Sequence, residues 1–275
     1  MDADTERVRA AYDRDPEREW RRLESGAQYR LEHLVNMHAL RRHLPPAAGQ
    51  PRILDAGGGP GRYAIGLAAA GYRVTLADLS PALLALARRR IAAAGATVQA
   101  NVEMIAEASI TDLSQWPDGV FDAVLCLGGP LSHETEEKAR EHAVGELRRV
   151  AHPGAPVFLG ALNRLGAYRS VVQWPDCWDQ FFPRFLTGST IPIGPGAPAY
   201  HFMPEELLGL LRRMELTLDQ LYGCSGIGAH LQEECLQALM ADPVRWETWR
   251  GLLLATCDHP NVVGVSYHLL AVARR

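Results

Sequence analysis

Gly57, Gly58, Gly59 and Gly61 fall within five positions of "RILDAGGGPGRYAIGLAAAGYRVTLADLS", residues 52–80, between an apolar run and a helical run. Asp78 closes the apolar run that follows. A strand that ends in such a turn and opens a helix leaves the first helical N–H groups unpaired and pointing forward. Glycine permits the tight turn, and its missing Cβ lets a ligand approach the backbone. In an open parallel sheet, the crevice at the carboxyl ends of the strands is the ligand site.

The spacing narrows the ligand. A nucleoside triphosphate loop needs G-x-x-x-x-G-K-[ST], and no Lys-Ser/Thr follows here. A dinucleotide loop needs G-x-G-x-x-G, and the sixth position counted from Gly57 is Arg62. What remains is G-x-G-x-G, as Gly57, Gly59 and Gly61, with Asp55 ahead of it. A carboxylate at the end of the second strand, Asp78, can accept both hydroxyls of a ribose. Asp55, where the first strand exits, suits a cationic ligand end. The expected ligand carries a ribose and an amino group or water shell, and no phosphate.

The rest of the chain fits an α/β reading. Residues 4–43 have helical spacing, with Pro16 in a first turn, and "PPAAGQP" (45–51) reads as a linker. Strands are expected at 52–57, 73–79, 97–105, 121–128, 156–163 and 216–223, with a last one in "NVVGVSYHLLAVARR". Helices are expected at 61–71, 80–95, 135–151 and 204–214, with two more at 228–241 and 243–257. Alternation of this kind implies a parallel sheet covered by helices on both faces. The organisation expected is a helical N-terminal arm (1–45) and an α/β domain (46–275). That domain carries a lid insertion at about 164–203 and a helical insertion at about 228–257. The lid contains an aromatic run, Trp174, Trp178, Phe181, Phe182 and Phe185, suited to lid core or to an apolar, cation-stabilising pocket.

These motifs resemble those of class I S-adenosylmethionine-dependent methyltransferases. The resemblance continues in "ASITDLSQWPDGVFDAVLCLGGPLSH" and "ELRRVAHPGAPVFLGALN", so it covers roughly residues 52–163. It implies a Rossmann-like, doubly wound, seven-stranded sheet of order 3-2-1-4-5-7-6 with the last strand antiparallel. It implies S-adenosylmethionine as cofactor and no metal. Gly57, Gly59 and Gly61 would line its methionine and ribose part, and Asp78 would hold the ribose. Leu79 would pack on adenine. Ser109 stands where many relatives carry an acid toward the adenine amino group, and Ile110 would offer its backbone N–H. Leu127 and Gly128 would sit beside the methionine portion. Tyr12 and Tyr29, with Trp20, would let the arm cover the cofactor, or would pack on the sheet.

Candidates for the chemistry come from strand exits and the lid. His133 is a conceivable base or a helix-entry residue, and Asn163 a substrate ligand or a turn cap. Tyr200 is a substrate ligand or core, and Ser225 a ligand or a turn serine. A sulfonium electrophile is already activated, so a strong base is optional. Three readings compete. The first is methyl transfer to a small molecule. The second is cyclisation of the cofactor itself, as in azetidine-2-carboxylate synthases, with Asn163, Tyr200 and Ser225 holding the amine and methylthioadenosine leaving. The third is a non-catalytic binding module. A net charge of −4 with no basic stripe argues against nucleic acid. No apolar run reaches a membrane span, the charged N-terminus is not a signal peptide, and five cysteines without metal spacing suit a reducing cytoplasm. The arm and the 228–257 helices leave a homodimer open.

Overall fold

The computed structural model describes residues 3–171, 178–188 and 197–275. Seven strands form one sheet: β1 (Arg52–Ala56), β2 (Arg73–Asp78), β3 (Val102–Glu107), β4 (Ala123–Cys126), β5 (Pro156–Leu162), β6 (Thr217–Gly223) and β7 (His268–Arg274). Their order is β3-β2-β1-β4-β5-β7-β6. β1 to β5 run parallel, and β7 runs antiparallel to both β5 and β6. This is the doubly wound, Rossmann-like order expected from the sequence. Because β7 enters the sheet from the end where β5 leaves it, His268 pairs with Leu162 beside the carboxyl ends of the parallel strands.

Side chains alternate across each strand, so one strand feeds two cores. Leu54, Val124, Val157 and Leu269 face one core. Ile53, Val74, Leu125, Phe158 and Leu270 face the other. The helices are α1 (Ala3–Asp13), α2 (Pro16–Ser25), α3 (Ala27–His43), α4 (Arg62–Ala69), α5 (Pro81–Ala93), α6 (Ala96–Asn101) and α7 (Glu137–Val150), followed by α8 (Arg164–Val171), α9 (Trp178–Phe181), α10 (Pro204–Arg213), α11 (Glu233–Ala241), α12 (Pro243–Thr256) and α13 (Pro260–Val263). The first core takes α7 and α10; the second takes α3, α4, α5, α11 and α12.

The stretch 4–43 is three helices. Asp15 caps α2 by accepting from the Arg18 amide at 2.8 Å, with Pro16 in the first turn. Gly26 separates α2 from α3. The two helices then differ sharply. α2 buries no residue, whereas α3 buries Leu31, Val35, Ala39 and Leu40. The third strand departs from expectation. Residues 96–101 form α6, and β3 begins at Val102. Gly95 at φ +101 turns the chain, and a single apolar side chain, Val98, is buried in the following turn. The β-branched pattern read as a strand is thus satisfied by one packed turn of helix. Of the aromatic run, Trp174 lies outside the described residues; Phe185 meets Tyr168 edge-on with ring centroids 4.4 Å apart.

Candidate active site

Residues at the carboxyl ends of β1, β2 and β4 line a cavity of about 1160 Å³, mouth included, and residues of α1, α2 and α3 form its opposite wall. The glycine loop is held by its own strands. The Gly57 and Gly58 amides donate to the Ala77 carbonyl at 2.8 and 3.1 Å, and the Gly61 amide donates to Gly58 at 3.0 Å. Gly57 and Gly59 sit at φ +69 and +54, where a side chain is strained. A Cβ on Gly57 would stand 2.4 Å from Pro130 Cγ. A Cβ on Gly59 would meet nothing nearer than 3.8 Å and would enter the cavity. On Gly128, at φ +75, it would meet nothing within 4 Å. The volume these missing side chains leave is volume a ligand can fill.

Asp78 closes β2 against this loop. Its Oδ2 accepts from the Gly59 amide and its Oδ1 from the Ser80 amide, both at 2.8 Å. Burial pushes the carboxyl up to about 6, against the pull of those two amides. Each carboxylate oxygen accepts more than one bond, so Asp78 keeps capacity for ribose hydroxyls. Leu79, Ala108, Ser109, Ile110 and Leu83 line the adjoining wall. The Ser109 hydroxyl is engaged in its own turn, 2.7 Å from Thr111 Oγ1 and accepting from the Thr111 amide. It replaces no acid there, and Ile110 is left as the nearly buried apolar contact. Asp112 accepts from the Ser114 amide and hydroxyl, which makes it a turn cap.

The far end of the cavity is polar. Leu127, Gly128, Tyr12, Tyr29 and His133, all singled out from the sequence, line it together with Glu19, Arg22, Glu32, Arg62, Tyr63 and His268. Glu19 Oε2 accepts from Arg22 Nε at 2.9 Å, and their other oxygen and nitrogen pair as well. The Arg22 guanidinium lies 4.2 Å above the Tyr29 ring. Burial works against the Arg22 charge, but the Glu19 hydrogen bonds outweigh it and hold its pKa above the ordinary value. Tyr12 donates its hydroxyl toward His133 Nε2 at 2.9 Å, while His133 Nδ1 lies 3.0 Å from the Pro198 carbonyl. A carbonyl only accepts, so His133 carries its proton on Nδ1. Burial lowers the His133 pKa and, with the Glu19 charge, raises that of Tyr12, so both are neutral.

Five expected residues lie elsewhere. Asp55 is fully buried beneath the loop and does not line the cavity. Burial and then the Asp78 charge push it up to about 7. Gly61 is the left-handed cap of α4, backed by Ala87 and Leu76. The Asn163 amide nitrogen reaches the carbonyls of Val263, Gly264 and Ser266 at 3.4, 3.0 and 2.7 Å, tying the exit of β5 to the approach to β7. Tyr200 donates to Glu206 at 3.1 Å and accepts from Arg164 at 3.3 Å, and the Arg140 guanidinium lies 3.8 Å above its ring. Ser225 accepts from the Tyr267 amide at 2.9 Å. Each of these three is committed to local architecture and none lines the cavity. The chemistry-bearing residues that sequence reasoning missed are Glu19, Arg22, Glu32 and His268. The i, i+3 Glu19–Arg22 pair in "EREWRR" was a local signal; the pairing of Glu32 with His268, from opposite ends of the chain, had none.

Among the described residues, no group of three or more His, Cys, Asp or Glu is placed to hold a metal, and no helix is long and apolar enough to cross a membrane. Residues 53–154 match a methyltransferase domain family. Over 189 residues the chain is 30% identical to a ubiquinone biosynthesis O-methyltransferase of Xanthomonas axonopodis pv. citri, covering 69% of this chain and 71% of that protein. Its counterpart in Xanthomonas oryzae pv. oryzae is 31% identical over 175 residues, 62% of this chain and 65% of that protein. In fold, the chain is similar to an S-adenosylmethionine-dependent methyltransferase of Methanosarcina mazei, with TM-score 0.57, 18% identity, and coverage of 86% of this chain and 96% of that one. It is also similar to the 1,6-didemethyltoxoflavin-N1-methyltransferase of Burkholderia thailandensis, with TM-score 0.54, 17% identity, and coverage of 100% and 91%.

Proposed function

The chain belongs to the class I S-adenosylmethionine-dependent methyltransferases, and on that footing we propose that its acceptor is a small molecule that presents a hydroxyl. The observation that carries this reading is the cavity itself. The glycine loop and Asp78 form one end; the other is a chamber of half-buried tyrosine and histidine side chains and the buried Glu32, walled by α1 to α3. A chamber enclosed by the protein's own helices takes a small molecule, and its donors and acceptors suit a hydroxyl-bearing one. The relatives named as ubiquinone biosynthesis O-methyltransferases support the same acceptor atom.

The residues divide the work. Asp78 and the loop hold the ribose, while Leu79 and Ile110 pack on the base. Leu127, Gly128 and the Arg22–Tyr29 pair lie toward the methionine end. When bound, S-adenosylmethionine supplies an activated methyl on a sulfonium. The protein then needs to align the acceptor oxygen in line behind that methyl and exclude water. Such alignment is worth up to roughly 7–11 kcal/mol. Cyclisation of the cofactor finds no support at the cavity, because Asn163, Tyr200 and Ser225 are all tied elsewhere.

The test is incubation with methyl-labelled S-adenosylmethionine and separate catechol, phenol and amine acceptors. Label should pass to hydroxyl compounds with one S-adenosylhomocysteine formed per transfer. Label passing to amines alone would refute the hydroxyl acceptor. Methylthioadenosine formed from the cofactor alone would refute methyl transfer as the main reaction.

A further inference from the structure

We propose that Glu32 and His268 form a buried carboxylate–imidazole dyad in which His268 Nε2 takes the proton of the acceptor hydroxyl during methyl transfer. The proposal rests on the hydroxyl-acceptor reading above and assigns a base to the chamber.

Two histidines line the cavity, and their hydrogen bonds separate them. His133 has both ring nitrogens engaged, Nδ1 with the Pro198 carbonyl and Nε2 with the Tyr12 hydroxyl. It has no lone pair to offer. His268 is held by one nitrogen. Its Nδ1 lies 2.7 Å from Glu32 Oε1, and among the described residues its Nε2 has no hydrogen-bond partner. A carboxylate on Nδ1 fixes the proton there and leaves Nε2 as the acceptor. The carboxylate also stabilises the imidazolium that forms when Nε2 takes a proton, as an opposite charge beside a cation does.

Both members are placed by fold rather than by mobile loops. His268 opens β7, paired with Leu162 at the edge where the parallel strands end. Glu32 sits on α3, whose neighbours Leu31 and Val35 are fully buried. Glu32 itself is 9% exposed. Burial acts to raise its pKa, but His268 and then Arg22 and Arg62 outweigh that and hold it low, so it stays charged. His201 is buried, and burial above all pushes it down to about 4, so it is neutral. Around the dyad, Glu32 carries the negative charge, Arg22 and Arg62 carry positive charges that act on it, and His201 is neutral.

The reaction balances without another reactant. The acceptor oxygen forms a bond to the methyl carbon, the carbon–sulfur bond breaks, and its electron pair stays on sulfur as the thioether of S-adenosylhomocysteine. The hydroxyl proton moves to His268 Nε2 and is later released to solvent.

Two measurements decide it. In nitrogen-15 spectra of the full chain with S-adenosylhomocysteine, the neutral His268 imidazole should be the Nδ1-protonated tautomer, its signals identified by their loss in His268→Gln. Glu32→Ala should replace that form by a mixture of tautomers. An Nε2-protonated His268 in the unaltered protein, or a tautomer indifferent to Glu32→Ala, overturns the dyad whatever the acceptor proves to be. With 3,4-dihydroxybenzoate as probe, His268→Gln should lower kcat about 10²- to 10⁴-fold, with S-adenosylhomocysteine affinity within threefold of the unaltered protein. A His268→Gln variant that keeps kcat within threefold also overturns the dyad. Transfer to amines alone, with the tautomer as expected, refutes the hydroxyl acceptor and with it the role of His268 as base to a hydroxyl, while the Glu32–His268 pairing itself stands.

Discussion

Asp55→Asn should flatten the way stability falls with pH. Asp55 is fully buried, its carboxylate makes no hydrogen bond of ordinary geometry among the described residues, the Ala64 amide offsets its burial only in part, and the Gly58 backbone lies directly over it. Burial, reinforced by Asp78, pushes the carboxyl up to about 7. From an ordinary value of about 4, at about 1.36 kcal/mol for each pH unit, ionisation in the folded state costs about 4 kcal/mol more than in the unfolded chain. The sign follows from proton counting. Between about pH 4 and 7 the folded state holds the proton that the unfolded chain has released, so this group's contribution is full below pH 4 and lost by about pH 7. About 1.5 kcal/mol is lost by pH 5, which leaves roughly 2.5 kcal/mol to be lost between pH 5 and pH 8. Asparagine keeps the shape and cannot ionise. Urea denaturation of both proteins at pH 5 and pH 8 should show the variant gaining about 2.5 kcal/mol on the unaltered protein across that interval. The comparison cancels the titrating groups that do not act on Asp55; Asp78, which does, stays coupled to it. A difference constant to within 1 kcal/mol would show that Asp55 is solvated or bonded in the folded state, and the reasoning would fail.

Asp78→Ala should weaken S-adenosylhomocysteine binding at least tenfold by calorimetry, since it removes the acceptor for ribose and the anchor of the Gly59 and Ser80 amides. In the unaltered protein the affinity should decline as pH falls through about 6, where this carboxyl takes up its proton; a flat profile between pH 5 and 8 would contradict that. Gly57→Ala should lower the melting temperature by several degrees, because the new Cβ combines a strained φ, worth about 1–3 kcal/mol, with a clash against Pro130. An unchanged melting temperature would mean that the loop rearranges freely.

What was legible in the sequence is what is local in the chain. Strand, glycine turn, helix, strand and Asp78 lie within residues 52–78, and each is announced by its own periodicity or turn chemistry. The order β3-β2-β1-β4-β5-β7-β6 followed from the resemblance those motifs carry. The strand exits were less legible. Asn163 and Ser225 stand where side chains commonly face a ligand, but their partners come from the segment 263–267, and no sequence pattern reports which exits are bound to which neighbours. Tyr200 is a similar case, since its role depends on Arg164, Arg140 and Glu206 meeting around one ring. Residues 96–101 failed for a different reason: one β-branched pattern serves a short strand and a helical turn equally well.

The N-terminal helices divide into a fixed and a weakly held part, and the chamber uses both. α3 is packed into the sheet by Leu31, Val35, Ala39 and Leu40, and its Asn36 bonds Tyr63 at 2.7 Å. Removing it would expose a core face. α1 and α2 are held mainly by polar contacts: Asp13 with Ser80 Oγ at 2.5 Å, Glu17 with Arg89 and Arg90, and Arg90 over Trp20 at 4.4 Å. Exposed ion pairs of this kind are worth about 0–1 kcal/mol each, and α2 contributes no buried side chain. Segments with few buried apolar contacts open at the least cost, so of the three wall helices α1 and α2 would open more cheaply than α3. Tyr12, Glu19 and Arg22 would leave and return with them. Glu32, on the fixed helix, and His268, on the sheet, would not. A proton acceptor built on the fixed parts keeps its geometry through each opening, which is the arrangement a repeated transfer requires.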